Sequence, residues 1–334
     1  MSSIRRALSR PAFFFCLISL SVGLNPFAVA WQSPGEAAQT AMRRPDADIV
    51  LLTITVTDSR GTPVGGLDKS AFTVSENKVP QEISFFNAED EPVSVGIVFD
   101  LSGSLAGSTK LKAARNAVLR FIELSHSAND YFVIAFAARP LVLIDWTRNS
   151  RAFAAQLSRF YFTSKSESKA SLNTALYDSC YLAVEKMNDG AHSRKAILLI
   201  TDGQDNESRY TFKEVRERLK ETGVMLYSMG IVGGDDPGSS LAMDGQAILD
   251  ELSAVSGGKA FFPNNKKEID VLFEWIALEL RHQYLIGFRP AKGGADGKWH
   301  KIKVKVTPPP MAEGKRPSLY VRTREGYYAP RSLP

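Results

Sequence analysis

Val93-Ser94-Val95-Gly96-Ile97-Val98-Phe99-Asp100 runs into Leu101-Ser102-Gly103-Ser104, and Ala196-Ile197-Leu198-Leu199-Ile200 runs into Thr201-Asp202-Gly203. Each is a short apolar run bounded by turn residues, the signature of a buried strand. Strands apolar at nearly every position suit a sheet covered on both faces, which is the condition of parallel sheets between helix layers. Around them the period changes to that of a helix. Residues 110–125 place Leu111, Ala114, Val118, Phe121 and Ile122 on one face, and residues 267–281 do the same with Ile269, Leu272, Phe273, Ile276 and Leu280. Further strands are expected at Tyr131–Ala137, Leu141–Ile144, Val224–Ile231 and Lys259–Phe262, and further helices at 150–160, 173–188, 211–222 and 246–256. Thr211 and Gly223 are the start and stop signals of the 211–222 helix. The alternation predicts an α/β fold with a doubly wound, mainly parallel sheet.

The flanks read differently. Val50, Leu52, Ile54 and Val56 alternate with less apolar neighbours within 48–60, and short strands follow at 72–74 and 83–86, with a turn at Glu76-Asn77. After His282 the strands return at Tyr284–Phe288, Lys301–Val306 and Leu319–Arg322. Lys301, Lys303 and Lys305 alternate with Ile302, Val304 and Val306, giving one solvated and one buried face. Neither flank has enough strands for a sandwich of its own. Residues 48–90 and 284–328 are therefore expected to combine into one small antiparallel β-sandwich-like domain, with residues 91–283 inserted as the α/β domain.

The first 30 residues have the layout of a secretory signal. Arg5, Arg6 and Arg10 precede the mostly apolar, uncharged run Ala12 to Leu24, and Ala28-Val29-Ala30 is a small-x-small cleavage site. That run is too short to span a bilayer, which needs about 20 residues. Residues 31–47 are polar, small and Pro-containing, a flexible lead. The expected location is periplasmic or extracellular. The formal charge of +5 falls to +2 once the three signal arginines leave, and no cluster of basic and aromatic residues follows, so nucleic acid is not an expected partner. Nothing after residue 30 is apolar for 18 residues, so no later membrane span is expected. The 334 residues, 44% hydrophobic and 23% charged, exclude disordered and collagen-like classes. Cys180 alone remains after Cys16 leaves, and it lies on the helical stripe Leu176, Cys180, Ala183, Val184, Met187, so it is read as a core residue.

In open α/β sheets, ligands bind beyond the carboxyl ends of the strands. Asp100 and Asp202 stand at two such ends, with Ser102 and Ser104 just after the first and Thr174 opening a helix in Asn173-Thr174-Ala175-Leu176. Two carboxylates and three hydroxyls on one edge suit a hard cation such as Mg²⁺, Mn²⁺ or Ca²⁺. Neutral hydroxyls leave the ion electrophilic and ready to accept a carboxylate from another molecule. Two plainer readings stand beside this one: Ser102 and Ser104 as caps of the following helix, and Asp202-Gly203 as an ordinary turn.

At these residues the chain resembles the von Willebrand factor type A family. That family carries Asp-x-Ser-x-Ser on the loop after its first strand, a Thr on a later loop, and an Asp after its fourth strand. The resemblance spans about residues 93–282 and implies a metal-ion-dependent adhesion site. In such a site Ser102, Ser104 and Thr174 offer hydroxyls, Asp100 and Asp202 mostly hold coordinating waters, and an Asp or Glu of a partner protein completes the shell. Asn173 stands where glycine is commoner in the family. Gly61, Pro63, Val64 and Leu67, with Gly326 to Tyr328, resemble a subfamily of exported bacterial proteins of this kind.

Three functions are weighed: an exported, metal-dependent protein-binding module for adhesion or assembly, without enzymatic activity; a metal-dependent hydrolase using the same carboxylates; and a structural envelope protein with an incidental site. A hydrolase needs a general base or activated nucleophile, for which Asp178, Asp205 and Glu207 are the nearest candidates. Gly103 to Lys110 lacks the spacing of a phosphate loop. The four histidines show no zinc spacing, and no Gly-x-Ser-x-Gly elbow occurs. The binding module is the expected function.

Overall fold

The strand that opens the described chain is completed by its last third. In the computed structural model the described residues are 49–103, 105, 108–159, 173–231, 239–290, 296–307 and 318–329. The expected signal segment, the lead at 31–47 and Ser104 lie outside them. β1 (Val50–Thr57) buries Leu52, Ile54 and Val56, and pairs antiparallel on one side with Tyr284–Phe288 and on the other with Tyr320–Arg322. β2 (Phe72–Glu76) and β3 (Val79–Gln81) form a hairpin. Its turn is Asn77-Lys78, both with positive φ (48° and 72°), as a two-residue hairpin turn requires. The turn is thus one residue later than the pattern suggests. β4 (Ile83–Asn87) does not close that hairpin but crosses to the other sheet, because Ile83 is buried there while β3 is largely exposed.

The α/β part follows as β5 (Val93–Asp100), α1 (Thr109–Leu124), β6 (Asp130–Phe136), β7 (Pro140–Thr147), α2 (Ser150–Arg159), α3 (Leu176–Lys186), β8 (Arg194–Thr201), α4 (Phe212–Glu221), β9 (Val224–Gly230), α5 (Ser240–Ser256), β10 (Lys259–Phe261) and α6 (Lys266–Arg281). The chain ends with β11 (Tyr284–Phe288), β12 (Trp299–Val306), β13 (Tyr320–Arg322) and β14 (Gly326–Tyr328). The central sheet has the order β10-β9-β8-β5-β6-β7, parallel except for the edge strand β7. Two four-stranded antiparallel sheets, β13-β1-β11-β4 and β14-β12-β2-β3, enclose a separate apolar cluster of Leu52, Ile54, Phe72, Val74, Ile286, Phe288 and Ile302. Residues from 47 onward form one compact unit. Among the described residues no helix is long and apolar enough to cross a membrane.

Every residue of β5 is buried. Its alternate side chains enter different cores, as a period of two demands. Val95, Ile97 and Phe99 join α1, α2 and α6, whereas Val98 joins α3, α4 and α5. Gly96 belongs to the second face, and a Cβ there would sit 2.4 Å from the Phe132 ring. Thr211 caps α4 in a capping box with Glu214. The expected 246–256 helix starts earlier, at Ser240, because the Ser239 hydroxyl caps it by accepting from Ala242 N.

Cys180 is buried among these helix residues, and burial, with the charge of Asp205 adding, pushes its thiol up to about 12. The native protein should resist iodoacetamide at pH 8 and become stoichiometrically alkylated in denaturant. Labelling at native speed would show that this helix opens without global unfolding.

In the β part, Glu76 accepts from the Tyr327 hydroxyl and from His300 Nδ1 (2.7 Å), while His300 Nε2 faces Asp296 Oδ1 at 3.1 Å. Burial pulls the His300 pKa down, but the hydrogen bonds to Asp296 and Glu76 outweigh it and the net shift is upward. A raised histidine pKa contributes stability that is complete below the unfolded value of 6.5 and is lost as pH rises through the folded value. The stability difference between wild type and His300→Gln should therefore shrink as urea titrations move from pH 6 upward. A difference independent of pH would refute the imidazolium bridge.

Candidate metal centre

The strand order reverses its winding between β5 and β8, which makes their carboxyl ends the switch point where open sheets of this type bind ligands. Asp100 is the last residue of β5, and Asp202 follows the last residue of β8. The loops leaving this edge are pinned alike, each continuing a strand-like bond to its neighbour. Leu101 N donates to Phe136 O (2.6 Å), Ala175 N to Ala137 O (2.7 Å), and Ile231 N to Thr201 O (2.7 Å). These bonds carry the sheet's pairing into the loops of the edge.

Asp100 is fully buried. Its Oδ1 accepts from Ser102 N (2.8 Å) and its Oδ2 from the Thr201 hydroxyl (2.6 Å). Burial first, with the charge of Asp202 adding to it, raises its pKa to about 6 against the hydrogen bonds from Ser102 and Thr201. Asp202 Oδ1 accepts from Gln204 N at 3.0 Å, and Gly203 takes φ +85°. The Asp202-Gly203 turn is therefore real, and it presents a half-buried carboxylate at the same edge as Asp100.

Ser102 and Thr174 are both buried. Ser102 is not the cap of α1: the Ser108 hydroxyl holds that place, accepting from Leu111 N at 3.1 Å. Thr174 is clasped by the loop after Asp202. Its N–H donates to Asn206 Oδ1 (2.7 Å), and its carbonyl accepts from Asn206 N (3.0 Å) and Glu207 N (3.2 Å). Asn173 donates to Glu207 Oε2 at 3.0 Å, so the position where glycine is commoner joins the same clasp.

Two residues of this edge escape the sequence reading. Thr201 bonds Asp100, and the signal for it was the parallel register: Phe99 pairs with Ile200, so the next pair is Asp100 with Thr201. Asn206 carries the Thr174 clasp and has no signal in its own neighbourhood. The three acids named as possible bases are committed to structure. Asp178 accepts from Arg209 N (2.9 Å) and Tyr210 N (3.0 Å), Asp205 from the Ser208 hydroxyl (2.5 Å), and Glu207 from Asn173. Among the described residues no group of three or more His, Cys, Asp or Glu gathers as a metal cage.

The donor set fits a hard cation. It is all oxygen, with two carboxylates whose mutual charge is unfavourable in a buried setting and which a positive ion would offset. The ligand-rich hydroxyl side leaves such an ion partly uncompensated.

The family model described as the von Willebrand factor type A domain matches residues 95–204, a span that includes Asp100, Ser102, Ser104, Thr174 and Asp202. No curated protein matches the chain. Similar solved structures include BatB, a conserved hypothetical protein from Bacteroides thetaiotaomicron, at 16% identity and TM-score 0.44, covering 55% of this chain and 97% of that one. A von Willebrand factor type A protein from Catenulispora acidiphila is 14% identical, with TM-score 0.44 over 84% of this chain and 74% of that one. Proximal thread matrix protein 1 from the mussel byssus, solved with zinc in its MIDAS motif, is 14% identical, with TM-score 0.45 over 57% and 48%. Sheet order and family model agree: residues 95–204 of this chain belong to a von Willebrand factor type A domain.

Proposed function

We propose that Asp100, Ser102, Ser104, Thr174 and Asp202 hold a divalent cation, Mg²⁺ or one of the similar hard ions Mn²⁺ and Ca²⁺, and that the ion accepts an Asp or Glu side chain of a partner protein. The protein is then an exported, non-enzymatic adhesion or assembly module, with the β sheets of residues 48–90 and 284–328 as a two-segment domain supporting the α/β domain. One observation carries this reading: a buried aspartate and a second aspartate stand at the ends of the neighbouring strands β5 and β8, at the switch point, with Ser102 and Thr174 buried on the loops of that edge. The hydrogen bonds that occupy Asp178, Asp205 and Glu207 weigh against a hydrolase, since each acid is spent on holding a loop.

Titration calorimetry of Mg²⁺ and Mn²⁺ into the chain tests it. Saturable binding is expected, with affinity falling by at least the roughly 10–100-fold of outer-shell changes in Asp100→Ala and in Asp202→Ala, since both aspartates mostly hold the coordinating waters. Equal binding by wild type and both variants would refute the assignment.

A further inference from the structure

An open cleft of about 560 Å³, lined by none of the five proposed metal ligands, is walled by three separated parts of the chain: the turn at Arg60-Gly61, the edge strand β10, and the first half of α6. Its volume falls within the range of roughly 300–1,000 Å³ typical of small-molecule sites. The walls are tied together, because Trp275 Nε1 donates to Gly61 O at 2.9 Å.

Its chemistry has two halves. One is aromatic and apolar: Phe261 and Trp275 meet edge to face at 5.3 Å, and Val271 beside them is exposed. The other is cationic. The Lys259 ammonium lies 5.0 Å from the centre of the Phe261 ring and 5.5 Å from that of Trp275, and Lys267 and Arg60, the latter paired with Asp58 at 3.4 Å, stand on the rim. Lys259 makes no ion pair among the described residues. Burial and then the charge of Arg322 lower its pKa, and the charge of Glu279 opposes them. The acid of the cavity, Glu268, is occupied: Oε2 accepts from Asn264 N (2.8 Å) and Oε1 from Asn265 Nδ2 (2.6 Å). Glu279 behind the wall is taken by Arg322, Tyr227 and Thr55. Aromatic walls and an ammonium without a carboxylate partner among the described residues suit a ligand with an apolar body and a negative group.

From this juxtaposition we infer that the cavity between the Arg60-Gly61 turn, β10 and α6 is a binding site for small organic monocarboxylates, with Lys259 receiving the carboxylate and Phe261 and Trp275 the apolar body.

The test uses 1-naphthoate and its uncharged counterpart 1-naphthalenemethanol, titrated into the full chain and followed by the NMR signal of the Trp275 indole N–H, which sits in the cavity wall. Naphthoate should bind saturably and at least about tenfold more tightly than the alcohol, the worth of a charge-assisted hydrogen bond. Lys259→Gln, on an exposed edge position, should remove that advantage and leave the alcohol's affinity unchanged. Arg60→Gln, at a side chain 84% exposed, should weaken naphthoate severalfold without risk to folding. Asp100→Ala should change neither affinity, which separates this result from the fate of the metal reading. Equal affinities for acid and alcohol, an unaltered naphthoate affinity in Lys259→Gln, or an unmoved Trp275 signal up to the solubility limit would each overturn the inference.

Discussion

Glu279→Ala should lower the free energy of unfolding by about 3–5 kcal/mol, the cost of removing one member of a buried ion pair. Glu279 lies on α6 with no exposure at all. Its Oε2 accepts from Arg322 of β13, and its Oε1 from the hydroxyls of Tyr227 (2.6 Å) on β9 and Thr55 (3.3 Å) on β1. Gln283 adds a bond to the Tyr227 oxygen at 3.1 Å. One carboxylate therefore joins the α/β core to two strands of the β part. Its loss strands a guanidinium and two hydroxyls in a place water reaches poorly, and each unmade bond carries its own desolvation penalty. Glu279→Gln keeps acceptor and shape and should cost less. Pairing Glu279→Leu with Arg322→Leu should recover part of the loss, because no charge is then left alone. Urea unfolding at constant m-value measures all three, and a change under 1 kcal/mol for Glu279→Ala would show that the network contributes little.

Gly203→Ala is the second large effect, and it acts on stability and site together. Gly203 has φ +85°, which costs an L-residue roughly 1–2 kcal/mol. The new Cβ would also lie 2.5 Å from Gly245 O, and in return a Cβ at Gly245 would lie 2.4 Å from Asp202 O. Backbone faces backbone here, so no side chain can swing away, and relieving the overlap adds about 1–3 kcal/mol. The loop must move off α5 and carry Asp202 with it. The expected result is a loss of about 3 kcal/mol, with divalent-ion affinity falling at least about tenfold. Gly223→Ala is the control: nothing lies within 4 Å of its Cβ, so its effect should stay within about 0.5 kcal/mol. Unchanged ion affinity in a folded Gly203→Ala protein would mean that the turn does not position the carboxylate.

The parts legible in the sequence are those written in local periodicity. β5 and β8 announce themselves as apolar runs, α1 and α6 as helical stripes, and Asp100 and Asp202 follow at strand ends where the fold places sites. Contacts between distant residues are not written that way. The choice of β4 to join the far sheet rests on what Ile83 packs against, and no neighbour of Ile83 states it. β7 runs antiparallel because only the short link at 137–139 joins it to β6, too short for the helix crossover a parallel strand needs. The cap of α1 is Ser108 because the helix begins at Thr109, a boundary that the serines nearer Asp100 do not announce. Glu279, whose carboxylate ties β9 to β1 and β13, reads in sequence as one more charge on a helix.

The place of β1 between β13 and β11 sets an order of events in making the molecule. Thr53 pairs with Leu285 and Val56 with Val321, so both edges of this apolar strand stay open until segments far along the chain fold back onto it. Loop closure over such a span is slow, and an open apolar edge is a template for pairing with other chains. Assembly of this strand is the expected rate-limiting step of refolding, with the α/β core formed ahead of it. A holding chaperone that shields residues 50–57 would raise the yield more than one that acts on the core.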